Sequence, residues 1–95
     1  MDQMTCLTIV KARLNRLDSL LDEYLLARID AAVTDLTRAG ITLDSSTADL
    51  MLVADTVCWD YANRDQNTGM PDWLRLRRRE RWLRQRKETE EAAEG

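Results

Sequence analysis

The sequence predicts an all-α fold, a small helical bundle of three main helices plus a short N-terminal helix. Two observations lead to this prediction. The composition is typical of helices, because Phe is absent, Gly occurs three times and Pro once, while Leu, Ala and Arg abound. Apolar residues also recur at steps of three and four in four successive segments. A chain of 95 residues suits one domain with a thin core.

The first two helices are predicted from this spacing. The first is short, from about Thr5 to Asn15, and its apolar residues are Leu7, Val10, Leu14 and Leu17. The second covers "DSLLDEYLLARIDAAVTDLTRAG", where Ser19 followed by Asp22 resembles a capping box and Gly40 is a typical stop. Its predicted core face comprises Leu21, Leu25, Ile29, Ala32, Val33 and Leu36.

The third predicted helix runs from about Thr47 to Asp65, with a second capping signature in Ser46 and Asp49. One side of it carries Leu50, Val53, Ala54, Val57 and Tyr61. Leu52 and Trp59 lie nearly opposite that side, so the helix has two apolar surfaces. Either another helix of the same chain covers the second surface, or it is kept for a partner.

The fourth predicted helix is basic and runs from about Pro71 to Glu88, within "GMPDWLRLRRRERWLRQRK". Its narrow apolar face comprises Trp73, Leu76 and Leu83, while Trp82 points away from that face. The arginine pairs at i,i+4 repel one another, which disfavours the helix in isolation. We therefore expect a helical body over 1–66, a basic helix over 67–88 that is loosely held in the free protein, and an acidic flexible tail over 89–95.

Charge is distributed unevenly along the chain. The whole protein has a formal net charge of −3, yet residues 72–87 carry eight basic and two acidic side chains. Residues 1–65 carry six basic and eleven acidic side chains, and residues 88–95 add four glutamates. A basic helix thus lies between an acidic body and an acidic end.

The inventory of chemical groups argues against an enzyme. The chain has no histidine, no glycine-rich phosphate loop and no cysteine spacing typical of a metal site. Its two cysteines, Cys6 and Cys58, are expected to be small core residues. We expect no metal and no cofactor. The sequence has neither a membrane-span pattern nor a secretory signal, so a cytoplasm-like compartment is expected.

Three interpretations of the basic helix remain open. Its arginines could form a solvated face, they could neutralise the phosphates of a nucleic acid while tryptophans stack on bases, or they could bind an acidic protein surface. The acidic remainder of the chain would repel a polyanion, and another copy of this protein offers a complementary surface. The candidate partner-binding residues are Leu52, Trp59, Trp73, Arg75, Arg77, Arg78, Arg79, Arg81 and Trp82.

The order of these motifs resembles the head–tail connector proteins of long-tailed bacteriophages. The resemblance rests on "VKARL", "LLDEYLLARIDAAVTDL", "TADLMLVADTVCWDYANRD" and "GMPDWLRLRRR", and it covers roughly residues 8–86. The chain departs from many members in the short connection "NRLDS" between its first two helices.

The resemblance implies a structural virion protein, a head-completion adaptor, with no enzymatic activity. Such adaptors form a ring beneath the portal protein, about a dozen copies closed by rotation, which extends the DNA channel and joins head to tail. The partners would be other copies, the portal and the next adaptor or stopper protein, with no membrane. DNA would pass a largely acidic wall without specific binding. Leu52 and Trp59 would face a neighbouring copy. The protein would be found at the head–tail junction, and in the host cytoplasm during assembly.

Overall fold

The computed structural model describes residues 2–44, 46–64 and 69–94, with the side chains of 91–94 left out. It contains four helices: α1 Gln3–Arg13, α2 Asp22–Arg38, α3 Thr47–Ala62 and α4 Asp72–Glu94. The described residues contain no strand, so the all-α prediction is confirmed. Residues 65–68, where the third helix and the body were predicted to end, lie outside the described residues, as does Gly95.

The ends of α1 and α2 follow local hydrogen bonding. The carboxylate of Asp2 accepts from the backbone N–H groups of Met4 and Thr5, so α1 begins two residues earlier than predicted. The predicted capping box of α2 is wrong, because α2 begins only at Asp22 and has no side-chain cap. Ser19 contributes only its carbonyl, which accepts from the N–H of Asp22 at 3.2 Å.

Gly40 ends α2 as the sequence predicts. Its φ of +92° lies in the left-handed region that glycine adopts without steric cost. The N–H of Ile41 donates to the carbonyl of Leu36 at 3.0 Å, which closes the helix end. This turn places the backbone of Gly40 and Thr42 within hydrogen-bonding distance of Gln85 on α4.

The helix at the centre of the fold is α3. It begins at the predicted cap, where the Ser46 hydroxyl accepts from the N–H of Asp49 at 3.2 Å. It contacts each of the other three helices, and α1 also packs on α2. Because neighbours cover several of its sides, eight of its sixteen residues are buried. They are Asp49, Leu50, Leu52, Val53, Ala54, Asp55, Val57 and Cys58.

The core is assembled mainly from α1, α2 and α3. Its most completely buried side chains include Val10, Leu25, Ile29, Leu36, Val53, Val57 and Leu74, of which only Leu74 belongs to α4. Cys6 and Cys58 are buried free thiols, as predicted from their spacing. Burial raises the pKa of Cys6 to about 11 and also raises that of Cys58. No helix within the described part of the chain is both long and apolar enough to cross a membrane.

Candidate interaction surfaces on helix α4

The side of α4 that faces the body is largely polar. Leu74 is fully buried at its start, and Arg77 and Arg81 follow on the same side at helical steps. Within the described residues, the main helix contact of α4 is with α3. The attachment of α4 therefore depends on what α3 presents to these arginines.

Asp49 on α3 receives Arg81 in a buried two-point ion pair. The Nε of Arg81 donates to Oδ1 of Asp49 at 2.7 Å, and Nη2 donates to Oδ2 at 3.1 Å. The Asp49 side chain is 0% exposed and that of Arg81 10%. Oδ2 of Asp49 also accepts from the N–H of Asp44 at 2.8 Å. The hydrogen bond to Asp49 raises the pKa of Arg81 above its ordinary value. Paired charges of this kind can be buried, whereas either one alone would be strongly unfavourable.

Asp55, two turns further along α3, holds two guanidinium groups. Arg13 at the end of α1 donates to Oδ1, and Arg77 on α4 donates to Oδ2. The Asp55 side chain is only 6% exposed, while both arginines keep a solvent-exposed part. This carboxylate therefore joins three helices, α1, α3 and α4.

The middle of α4 also contacts the connection between α2 and α3. The N–H of Thr42 donates to Oε1 of Gln85 at 2.6 Å, and Nε2 of Gln85 donates to the carbonyl of Gly40 at 3.0 Å. Nη2 of Arg81 donates to the carbonyl of Thr42 at 2.8 Å. The Trp82 ring lies over Gly40, where an added Cβ would come within 3.2 Å of the indole nitrogen. These polar contacts compensate for the scarcity of apolar residues on this side.

These contacts decide between the two interpretations of Leu52. Leu52 is 4% exposed and lines a cavity of about 320 Å³ together with Arg77, Arg81 and Arg84 of α4. A helix of the same chain thus covers this second side of α3, so Leu52 is not available as a partner contact. Trp59 is half-buried and packs against the core. Of the two residues expected to face a neighbouring copy, the buried one, Leu52, is therefore covered by α4.

The narrow apolar face predicted for α4 lies away from the body. Trp73, Leu76 and Leu83 are 47%, 57% and 45% exposed. Trp82, which was predicted to point away from that face, is half-buried against the core. The reason is that the buried carboxylates on α3 require guanidinium partners, so the arginine side of α4 turns inward. We call Trp73, Leu76 and Leu83 the outer row.

The remaining arginines of α4 differ in how they are engaged. Arg75 lies 4.0 Å from the carboxylate of Asp72, a weak exposed pair. Arg78 is half-buried, with Nη1 3.5 Å from the sulfur of Met70. Among the described residues, Arg79 and Arg84 pair with no carboxylate. Of the predicted partner-binding arginines, Arg77 and Arg81 thus bind the protein's own body, and Arg75, Arg78 and Arg79 remain on the surface.

Arg75, Arg78 and Arg79 surround an apolar depression of about 290 Å³. Its apolar lining includes Ile41, Met70 and Trp82. We call this feature the arginine groove. It lies where the start of α4 meets the end of α2, beside the outer row but distinct from it.

Asp49 and Asp55 are the functional residues that sequence reasoning missed. Both stand in the apolar stretch "ADLMLVADTV", and a carboxylate among residues of a buried helix requires a partner. Arg77 and Arg81 are spaced i,i+4, so they share one helix face and can reach two such carboxylates. That combination was available in the sequence as a signal for the α3–α4 contact.

Comparison with known proteins adds no family to these observations. No protein-family model, no curated protein and no solved structure matches the chain.

Proposed function

We propose that the chain is a head–tail connector of a long-tailed bacteriophage, a structural adaptor without enzymatic activity. In this proposal copies form a ring under the portal protein, extend the DNA channel and join the head to the tail-side proteins. The order of the motifs quoted above supports the family. The observation that carries a protein-binding role is the outer row.

The outer row is suited to a protein partner because of where it lies. Three large apolar side chains are half-exposed on one side of a helix, whose other side is already attached to its own body through Asp49 and Asp55. Exposed apolar residues at helical spacing are typical of interfaces, and tryptophan and arginine are enriched there. Arg79, which pairs with no carboxylate in the described residues, adds a preference for an acidic partner.

Nucleic-acid binding is supported less than it was by the sequence alone. The basic charge of α4 counted toward that function, but Arg77 and Arg81 are engaged with buried carboxylates. Arg86 also pairs with Glu90 at 3.2 Å. Fewer cations are left to neutralise phosphates, and affinity for a duplex depends on their number.

The experiment combines the chain with the portal protein encoded in the same genome and follows the complex by size-exclusion chromatography. We expect a complex that the double variant Leu76→Ser/Leu83→Ser no longer forms. Met4→Ser is the matched control, since Met4 is 62% exposed on α1. Failure of the wild-type chain to bind the portal would overturn the proposal. Duplex binding that weakens steeply with added salt would favour the nucleic-acid function instead.

A further inference from the structure

The arginine groove is an apolar surface that the described residues leave uncovered. Its apolar lining includes Ile41, Met70 and Trp82, and its volume is about 290 Å³. This is enough space for an apolar side chain, since an engineered cavity of about 150 Å³ binds benzene. Three guanidinium groups at its rim would favour an occupant that combines apolar side chains with carboxylates. The described residues supply such a segment at the other end of the molecule.

That segment is the connection between α1 and α2, which presents two leucines almost wholly to solvent. Leu17 is 93% exposed and Leu20 85%, the highest values among the large apolar residues of the described chain. Asp18 lies between them, and its carboxylate fixes the local turn by accepting from the N–H of Leu20 at 3.1 Å. We call Leu17 and Leu20 the leucine knob.

The leucine knob and the arginine groove lie at opposite ends of α2. The knob precedes Asp22, where α2 begins, and the groove includes Ile41, just after its end at Arg38. A helix of 17 residues is about 25 Å long at about 1.5 Å per residue. A chain therefore cannot place its own knob in its own groove.

We propose that the leucine knob of one copy docks into the arginine groove of a second copy. The contact is head-to-tail, so each copy offers one unused knob and one unused groove, and further copies can be added until a ring closes. In the connector proposed above, this would be the contact between neighbouring copies, so its biological role rests on that proposal. The association itself follows from the two surfaces alone.

The charges around the two surfaces are complementary. Asp18, Asp22 and Glu23 flank the knob, and the groove carries three arginines. Lys11 pairs with Asp22 at 2.9 Å, and Arg16 lies 3.9 Å from Asp18. Both cations also lie beside Leu17, so the three carboxylates leave the knob with an excess of one negative charge. At the groove Asp72 lies 4.0 Å from Arg75, which leaves an excess of two positive charges, opposite in sign to the knob. Such complementarity speeds association and fixes which surfaces meet.

The test uses two variants of the full chain, each defective in one surface. Arg79→Glu reverses a groove charge that pairs with no carboxylate in the described part of the chain, and Leu17→Ser/Leu20→Ser removes the knob from an exposed connection. Sedimentation velocity at low salt should show oligomers for the wild type and association about tenfold or more weaker for each variant. Arg84→Glu is the control, because Arg84 is not among the groove residues and pairs with no carboxylate of the described residues; it should associate as the wild type does.

Mixing the two variants gives the decisive result. The intact knob of the groove variant fits the intact groove of the knob variant, but neither can add a further copy. We expect a one-to-one heterodimer that does not grow with concentration. A wild-type chain that stays monomeric, variants that associate normally, or a mixture without the heterodimer would each overturn the inference. Portal binding by the wild type is read separately, so loss of this contact does not count against the proposed function.

Discussion

Helices α2 and α4 attach to the same central helix by opposite means. α2 packs apolar side chains such as Leu25, Ile29 and Leu36 into the core, and its ion pair with α3, Arg28 with Asp60, is more than a third exposed on both sides. α4 contributes one fully buried leucine, Leu74, and otherwise presents arginines to buried carboxylates. The difference shows that helical periodicity identifies the inward face only where the buried side chains are apolar.

This contrast explains which parts of the fold the sequence predicted. Three helices and most of their core faces follow from apolar spacing, because burying apolar area is the dominant stabilising contribution; Leu17, predicted with the first helix, is the exception at 93% exposed. The orientation of α4 could not be predicted in the same way. Its apolar residues Trp73, Leu76 and Leu83 lie outward, and the pairing of Asp49 with Arg81 joins residues 32 positions apart. A single sequence gives the charges of such residues but not their partners.

The candidate site could be predicted only in part, because the sequence does not show which arginines pair within the chain. Trp73 and Arg79 lie on the surface as the partner interpretation requires, whereas Leu52, Arg77 and Arg81 are engaged within the chain. The periodic apolar row predicted for the first helix included Leu17, but α1 ends at Arg13 and Leu17 is 93% exposed in the connection that follows.

Removing the buried carboxylate of Asp49 should have the largest effect on how α4 is attached. Asp49→Ala would leave Arg81 buried without its counter-charge, so we expect the free energy of unfolding to fall by about 3–5 kcal/mol. Urea denaturation measures this loss. The control Asp35→Ala removes an exposed carboxylate of α2 and should change stability by about 0.5 kcal/mol or less. Equal effects of the two substitutions would show that the Asp49 pair does not attach α4.

Two leucines of α4 test the difference between its buried side and its exposed side. Leu74→Ala truncates a fully buried side chain and should cost about 2–5 kcal/mol. Leu76→Ala truncates a side chain that is 57% exposed, and it should change the free energy of unfolding by about 0.5 kcal/mol or less. The reverse order in thermal or urea unfolding would mean that the outer row, and not Leu74, packs on the body.

Gly40→Ala tests the contact between Trp82 and the end of α2. The left-handed φ of +92° disfavours any side chain with a Cβ, at a cost of about 1–2 kcal/mol. The new methyl group would also lie 3.2 Å from the indole nitrogen, so Trp82 must shift. We expect lower stability together with a change in tryptophan fluorescence. Ala31→Gly is the control: it replaces an exposed residue of α2 that is not among the residues lining the groove with Trp82, so it should lower stability by about 0.5–1 kcal/mol and leave the fluorescence unchanged.

The smallest expected effect is on the labelling rate of the two buried thiols. Burial raises the pKa of Cys6 to about 11 and raises that of Cys58, so both are protonated at mildly alkaline pH and little thiolate is present to react. Labelling by a thiol reagent should therefore be slow in the native protein and rapid in urea. Rapid native labelling of either cysteine would show that the α1–α3 contact opens easily.

Hydrogen exchange along α4 tests the central claim most directly, that buried ion pairs make this helix part of the folded body. Sequence reasoning led us to expect a loosely held helix, whereas the contacts of Arg77, Arg81 and Gln85 argue for a firmly attached one. We predict that the backbone amides of residues 77–85 exchange only through global unfolding, with the same protection as those of residues 52–58 in α3. Protection of α4 that is lower by orders of magnitude, while α3 stays protected, would contradict the account and restore the loosely held helix.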